Sequence, residues 1–124
     1  MKTEINKYKN IELIANPDET QMNNLIEKAQ IHTLYTEQAT GLKLKLLNVL
    51  FKGRFVLCND KMVSGTGLNA NESLFICNTP EDFIKKIDSN FKLSFEKNLN
   101  SSREKQLENF SNKKNVERLI SFLK

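Results

Sequence analysis

The chain has no tryptophan, one histidine and two cysteines in 124 residues. Aromatic residues make up only 8% of it, and they are not interleaved with a clustered basic face. A nucleic-acid surface usually shows such features, so nucleic acid is not an expected partner. Cys58 and Cys77 sit in apolar runs, with no Cys or His at metal-ligand spacing. They read as small buried hydrophobes of a reducing, cytoplasmic compartment. No Asp-x-Asp or comparable acidic pair occurs, so neither a metal nor a cofactor is expected. No apolar run approaches the ~18 residues needed to cross a bilayer, and MKTEINKYKN has no apolar signal core. A soluble chain is expected, although nothing excludes work at a membrane surface. His32 lies in a short apolar run and reads as structural, since no partner acid or nucleophile can be assigned to it.

What is present is ordinary for one globular domain: 39% hydrophobic and 27% charged residues, with a net charge of +4 spread along the chain. That mild positive balance suits a small anion such as a nucleotide. Residues 1–9 are polar and read as a loosely held N-terminus, and residues 10–124 as the domain. Residues 10–15 (NIELIA) read as a first strand. Asn16-Pro17-Asp18-Glu19 is a helix start in which Asn16 caps, Pro17 takes the first helical position and Glu19 reaches back. Met22, Leu25, Ile26 and Ala29 then repeat at helical spacing.

Three more strands follow at residues 31–35, 54–58 and 73–77, with a turn-rich loop and one helical turn across residues 59–68. Thr79-Pro80-Glu81-Asp82 repeats the helix-start signal, and Phe83, Ile84, Ile87 and Phe91 mark a buried face. The pattern stays helical over residues 95–110. Ser111 then caps a last helix carrying Val116, Leu119, Ile120 and Leu123. Short apolar strands alternating with helices predict an α/β three-layer domain with about four parallel strands. Ligands of such sheets bind at the carboxyl ends of the strands.

One of the loops there opens residues 37–53, EQATGLKLKLLNVLFKG. A helix over residues 41–52 places Leu42, Leu44, Leu46, Leu47, Val49, Leu50 and Phe51 over more than half its circumference. Lys45, Asn48 and Lys52 share the narrow polar stripe. Its first turn carries no acid, and offers Thr40, Gly41 and Lys43, with Lys45 one turn in. Free N–H groups, a glycine and lysines are what an anion needs at a helix start. A sandwiched core helix whose lysines reach out to water accounts for the same residues.

ATGLKLKLLNVLFKGRFVL also resembles the nucleotide-sugar-binding segment of retaining GT-B fold glycosyltransferases of the group often called family 4. Their pattern is G-x-K/R-x-K-x-x-E-A-x-x-x-G-x-P-V-V, and Gly41, Lys43, Lys45, Gly53, Val56 and Leu57 fall on it. NDKMVSGTGL is similar to the loop after that strand, TPEDFIKKI to a later helix and FSNKKNVERLISFL to the C-terminal helix. The likeness runs from about Asn10 to the end. It implies a Rossmann-like half of a GT-B fold and a nucleoside-diphosphate sugar as partner. Thr40, Gly41, Lys43 and Lys45 would hold the donor pyrophosphate, with Gln38 and Asn48 near the donor ribose or sugar.

The chain departs from the family where two glutamates would fall on Thr40 and Asn48, and where Arg54-Phe55 replaces x-Pro. It is also short by a whole facing domain. The expectation is therefore a C-terminal part, inactive alone, that pairs with a separate N-terminal half. The alternative is a non-catalytic α/β interaction module or a degenerate remnant that pairs with another chain. A response-regulator-like domain is weaker, for want of an acidic cluster at the strand ends.

Overall fold

The computed structural model describes residues 4, 7–39, 44–95, 101–110 and 120–121. Within them the chain is α/β, with five helices and one three-stranded parallel sheet. The elements run α1 (Glu19–Lys28), β1 (Ile31–Leu34), α2 (Leu44–Lys52), β2 (Phe55–Cys58), α3 (Asp60–Val63), β3 (Leu74–Ile76), α4 (Pro80–Asn90) and α5 (Ser101–Leu107). A single 3-10 turn, Glu108–Phe110, follows α5. Strand order is β1-β2-β3, with Leu34 beside Cys58 and Cys58 beside Ile76 at the carboxyl edge.

β2 is the central strand, and all four of its residues are buried. Side chains alternate faces along a strand. Val56 and Cys58 therefore share one face with Leu74 and Ile76 of β3. There they pack with Ile26 of α1, Leu46, Val49 and Leu50 of α2, Met62, Leu68 and Leu107. Phe55 points the other way and stacks on Phe75 at 6.5 Å, with Phe95 edge-on at 5.4 Å. Lys86 of α4 covers the Phe75 ring at 4.8 Å. Helices thus lie on both faces of the sheet, which is the three-layer arrangement expected.

Four differences from the expected pattern have physical causes. Residues 11–15 form no strand; they are irregular and exposed, so the described sheet has three strands rather than four. With no fourth ladder to join, the apolar side chains of Ile11, Leu13 and Ile14 stay at the surface. Asp18, not Asn16, caps α1: it accepts the Gln21 N–H at 2.8 Å, and the Gln21 side chain reaches back to the Asp18 N–H at 3.4 Å. Asn16 has φ +48°, a left-handed turn that asparagine tolerates, whereas a helix cap needs extended backbone such as that of Asp18. Pro17 and Glu19 consequently each fall two places before their expected roles, which Glu19 and Gln21 take instead.

The third difference is that α2 is not sandwiched. It buries Leu46, Val49 and Leu50, while Leu44 and Phe51 are exposed. The fourth concerns α4, which leans on the sheet along Phe83, Ile87 and Asn90 and leaves Ile84 and Phe91 exposed. Buried Asn90 donates to the Lys86 carbonyl at 2.8 Å, and its own carbonyl accepts from Gln30 Nε2 at 3.2 Å. Thr79 caps α4 as expected, its hydroxyl accepting the Asp82 N–H at 3.2 Å. Ser111 and most of the last expected helix lie outside the described residues. Ile120 is exposed.

Candidate functional site

The site expected from the sequence belongs at the carboxyl edge, where β1 hands over to α2. Thr40, Gly41 and Lys43 lie outside the described residues. Lys45 is exposed in the first described turn of α2, which holds no acid, and Asn48 is half-buried on the next turn. These two stand three residues apart, so they lie on one side of the helix. Lys52, at the far end of the same stripe, is tied to α1 by a 2.6 Å bond from its Nζ to Asn23 Oδ1. Gln38 is exposed, and its N–H donates to Thr36 Oγ1 at 3.1 Å.

Two asparagines organise this edge. Asn59 directly follows β2 and is 3% exposed. Its Nδ2 donates to the Thr36 carbonyl at 2.6 Å, and its Oδ1 accepts the Thr36 N–H at 3.2 Å. The side chain thereby acts as one more rung between β1 and β2, past the last backbone pair. Asn78 stands one residue beyond Cys77 and accepts the Asp60 N–H on its Oδ1 at 3.0 Å. Three loops are thus joined side by side: residue 36 to residue 59, and residue 60 to residue 78.

The loop after β2 turns on Gly65 and Gly67, at φ +77° and φ +75°, with Thr66 between them. The Thr66 hydroxyl donates to the Val63 carbonyl at 2.5 Å and accepts the Leu68 N–H at 3.1 Å. Each glycine takes a left-handed backbone that other residues rarely adopt.

The sequence pattern puts Asn59 and Asn78 at the start of strand-end loops and gives neither a role. One signal does point to them: each follows a buried cysteine at a strand end, as Cys58-Asn59 and Cys77-Asn78. A polar side chain directly after a buried strand residue, at the ligand-binding edge, has few partners except the neighbouring loops.

The cysteines are free and fully buried. Burial, with Cys77 adding to it, pushes the Cys58 thiol up to about 12. The Cys77 thiol is also raised, by burial first and then by Asp82. Neither is poised to act as a nucleophile. His32 donates through Nε2 to the Ile26 carbonyl at 2.9 Å, since a carbonyl oxygen can only accept.

The opposite, amino edge carries a cleft of ≈ 1120 Å³ lined by Gly53, Arg54, Leu93, Phe95, Arg103 and Glu104 among others. Its cations are already engaged. Arg103, 4% exposed, donates through Nη1 to the carbonyls of Leu50 (3.3 Å) and Gly53 (2.9 Å). Through Nη2 it reaches those of Arg54 (2.5 Å) and Ser73 (2.9 Å). Arg54 Nη1 donates to Gln30 Oε1 at 3.4 Å. Arg103 therefore closes the C-terminus of α2 and the entries to β2 and β3, a structural pin that the sequence reading did not single out. Burial pushes its guanidinium down to about 10, which leaves it protonated at neutral pH.

Among the described residues no cluster of His, Cys, Asp and Glu could hold a metal ion, and no helix is long and apolar enough to cross a membrane. No family model, curated protein or solved structure matches the chain.

Proposed function

We propose that the chain is the donor-binding part of a sugar-nucleotide-dependent glycosyltransferase, a partial C-terminal half of a GT-B fold. The observation that carries this reading is the placement of α2. It follows β1 at the carboxyl edge of a parallel sheet, its first turn has no acid, and Lys45 is exposed there. A helix N-terminus at that edge offers N–H groups and the positive end of a dipole to an anion. Thr40, Gly41 and Lys43 supply the remaining contacts to the donor pyrophosphate on this reading. Gln38 and Asn48 contact the ribose or sugar.

The chemistry is displacement of a nucleoside diphosphate from an activated sugar by an acceptor hydroxyl. As the glycosidic bond to the diphosphate breaks, negative charge develops on the leaving oxygens. Amides and lysines fixed around them stabilise that charge without reorganising. Asn48 binds a hydroxyl as a neutral hydrogen-bonding group in place of the carboxylate the family pattern carries. On this reading the acceptor and the facing side of the cleft come from the N-terminal half of the fold.

A second reading, a non-catalytic interaction module, is favoured by the outer edges of β1 and β3, which pair with no strand among the described residues. The apolar side chains of Ile84, Phe91 and Leu93 are exposed as well. Open edges and apolar patches recruit partner chains. Titration of the ¹⁵N-labelled chain with UDP and GDP separates the two. Shifts at Thr40, Gly41 and Lys45 that vanish in Lys45→Ala support the donor site. Saturating nucleotide with no response anywhere sinks it and leaves the module.

A further inference from the structure

We infer that the open edge of β1 and the outer face of α1 form a docking surface for a second copy of this chain, paired antiparallel about a twofold axis through Thr33. The inference is independent of the donor-binding reading and concerns a different side of the sheet. Of the two outer edges, β3 closes its own. The Leu74 carbonyl accepts the Asn71 N–H at 2.9 Å, and the Leu74 N–H donates to Asn71 Oδ1 at 3.0 Å, so a local turn occupies the outward groups there. β1 has no such cover. Phe55 donates to the Gln30 carbonyl at 3.3 Å, and Asn59 holds both backbone groups of Thr36, so the even-numbered residues from 30 to 36 face β2. Ile31, Thr33 and Tyr35 therefore turn their N–H and C=O groups to the open side. Among the described residues nothing pairs with them.

Edges left open are usually blunted by a lysine, a proline or a bulge. Residues 30–36, QIHTLYT, contain no charge, no proline and no glycine. Two such edges meet without a clash when Thr33 faces Thr33 of the second copy and Ile31 faces Tyr35. In that register each facing pair exchanges both of its backbone hydrogen bonds. It also sets threonine on threonine and a β-branched side chain on an aromatic ring, both favourable cross-strand pairs.

The same axis brings the two α1 helices side by side in opposite directions. His32 ties α1 to β1 through the Ile26 carbonyl, and Lys52 ties Asn23 to α2. Asp18, Met22, Leu25 and Lys28 step along the side of α1 turned away from α2, at helical spacing, and all four are exposed. Antiparallel packing sets Met22 and Leu25, 42% and 40% exposed, on their counterparts. It also sets Asp18, at the acidic start of one helix, beside Lys28 at the basic end of the other, once at each end of the seam. Glu27 lies on the opposite side of the helix and takes no part. The surface is thus complementary to itself in hydrogen bonding, apolar contact and charge, which is what a twofold interface requires and what singles out a second copy.

The experiment is sedimentation velocity of the full chain from about 1 μM to about 500 μM, with amide hydrogen exchange, for wild type, Thr33→Lys, Leu25→Lys and Lys28→Glu. All three positions are exposed in the single chain, so the variants leave its core untouched. Wild type is expected to reach twice the 14.3 kDa of one chain. The Ile31, Thr33 and Tyr35 amides should be protected at high concentration and exchange freely on dilution. Thr33→Lys and Leu25→Lys set like charges face to face, and each is expected to raise the dissociation constant about tenfold or more. Lys28→Glu is expected to raise it about threefold, and by less at high salt. A chain that stays monomeric throughout overturns the inference and leaves the edge to a partner of different sequence. A dimer that Thr33→Lys or Leu25→Lys leaves intact overturns it as well, and an unweakened dimer in Lys28→Glu overturns the antiparallel arrangement. Protection of the three amides in a monomer would mean that a segment of the same chain already pairs with β1, which also overturns it. Should Thr33→Lys fail to fold, Leu25→Lys and the exchange pattern decide.

Discussion

His32 and Gly53 meet with no room for a single methyl group between them. A Cβ on Gly53 would lie 2.8 Å from His32 Nε2, 2.9 Å from His32 Cδ2 and 2.7 Å from the Val49 carbonyl oxygen. Gly53 ends α2, its N–H donating to that same Val49 carbonyl at 2.7 Å, and His32 closes the end of α1 on Ile26. The contact therefore locks two helix ends against β1, and it assigns the only histidine to structure.

Gly53→Ala is accordingly expected to cost about 1–3 kcal/mol in urea unfolding, the range for forcing bulk into a packed site. His32→Ala in the same chain should recover part of that loss, because it removes two of the three close atoms. A double-mutant cycle that is simply additive would contradict the contact.

Arg103 predicts a larger effect. Four carbonyls depend on its guanidinium, and Arg103→Met leaves them without those bonds, at an expected cost of about 3 kcal/mol or more. Arg103→Lys should recover little, since a compact ammonium lacks the planar fork that spans four acceptors. Wild-type stability in Arg103→Lys by urea unfolding would refute the pin.

Cys58 makes the fold sensitive to alkali. Its thiol titrates near 9.0 in an open chain and is pushed up to about 12 by burial. Between those values the folded chain binds more protons than the unfolded one, so stability falls as pH rises. The contribution is complete below about pH 9 and is lost as pH climbs towards about 12. Unfolding free energy should drop more steeply from about pH 8.5 to about pH 10.5 in wild type than in Cys58→Ala. Equal slopes would contradict the assignment. In the native chain neither Cys58 nor Cys77 should react with a thiol reagent until the protein unfolds.

At the start of α1, Asp18→Ala should cost about 1 kcal/mol, as loss of a capping box does, while Asn16→Ala should act through the backbone at φ +48° instead. Asn16→Gly, which relieves the left-handed strain, is expected to be neutral or slightly stabilising in the same urea measurement. A full capping loss at Asn16 would reverse the assignment.

The elements whose cores carry strong local patterns were legible from the sequence: β1 to β3, the body of α2, and α4 with Thr79 and Pro80. What depended on partners far along the chain was not. Residues 10–15 look like a strand by composition, but a strand exists only with a ladder, and none of the described strands pairs with them. Asn16 and Asp18 are equally good caps on paper; the backbone conformation chooses between them. Arg103 looks like one more surface cation of a helix, and only the fold brings Leu50, Gly53, Arg54 and Ser73 around it. At the carboxyl edge the exposure of Lys45 was legible from the helical pattern and the asparagine stitching was not, because Asn59 and Thr36 meet across 23 residues of sequence.

The central claim is that the start of α2 recognises a pyrophosphate rather than a base or an apolar partner. Its most direct test is calorimetric titration of the chain with UDP, inorganic pyrophosphate and uridine, for wild type and Lys45→Ala. The account predicts that UDP and pyrophosphate bind, that uridine binds far more weakly, and that Lys45→Ala weakens both anions. Uridine binding as tightly as UDP, or no binding by either anion, would contradict it.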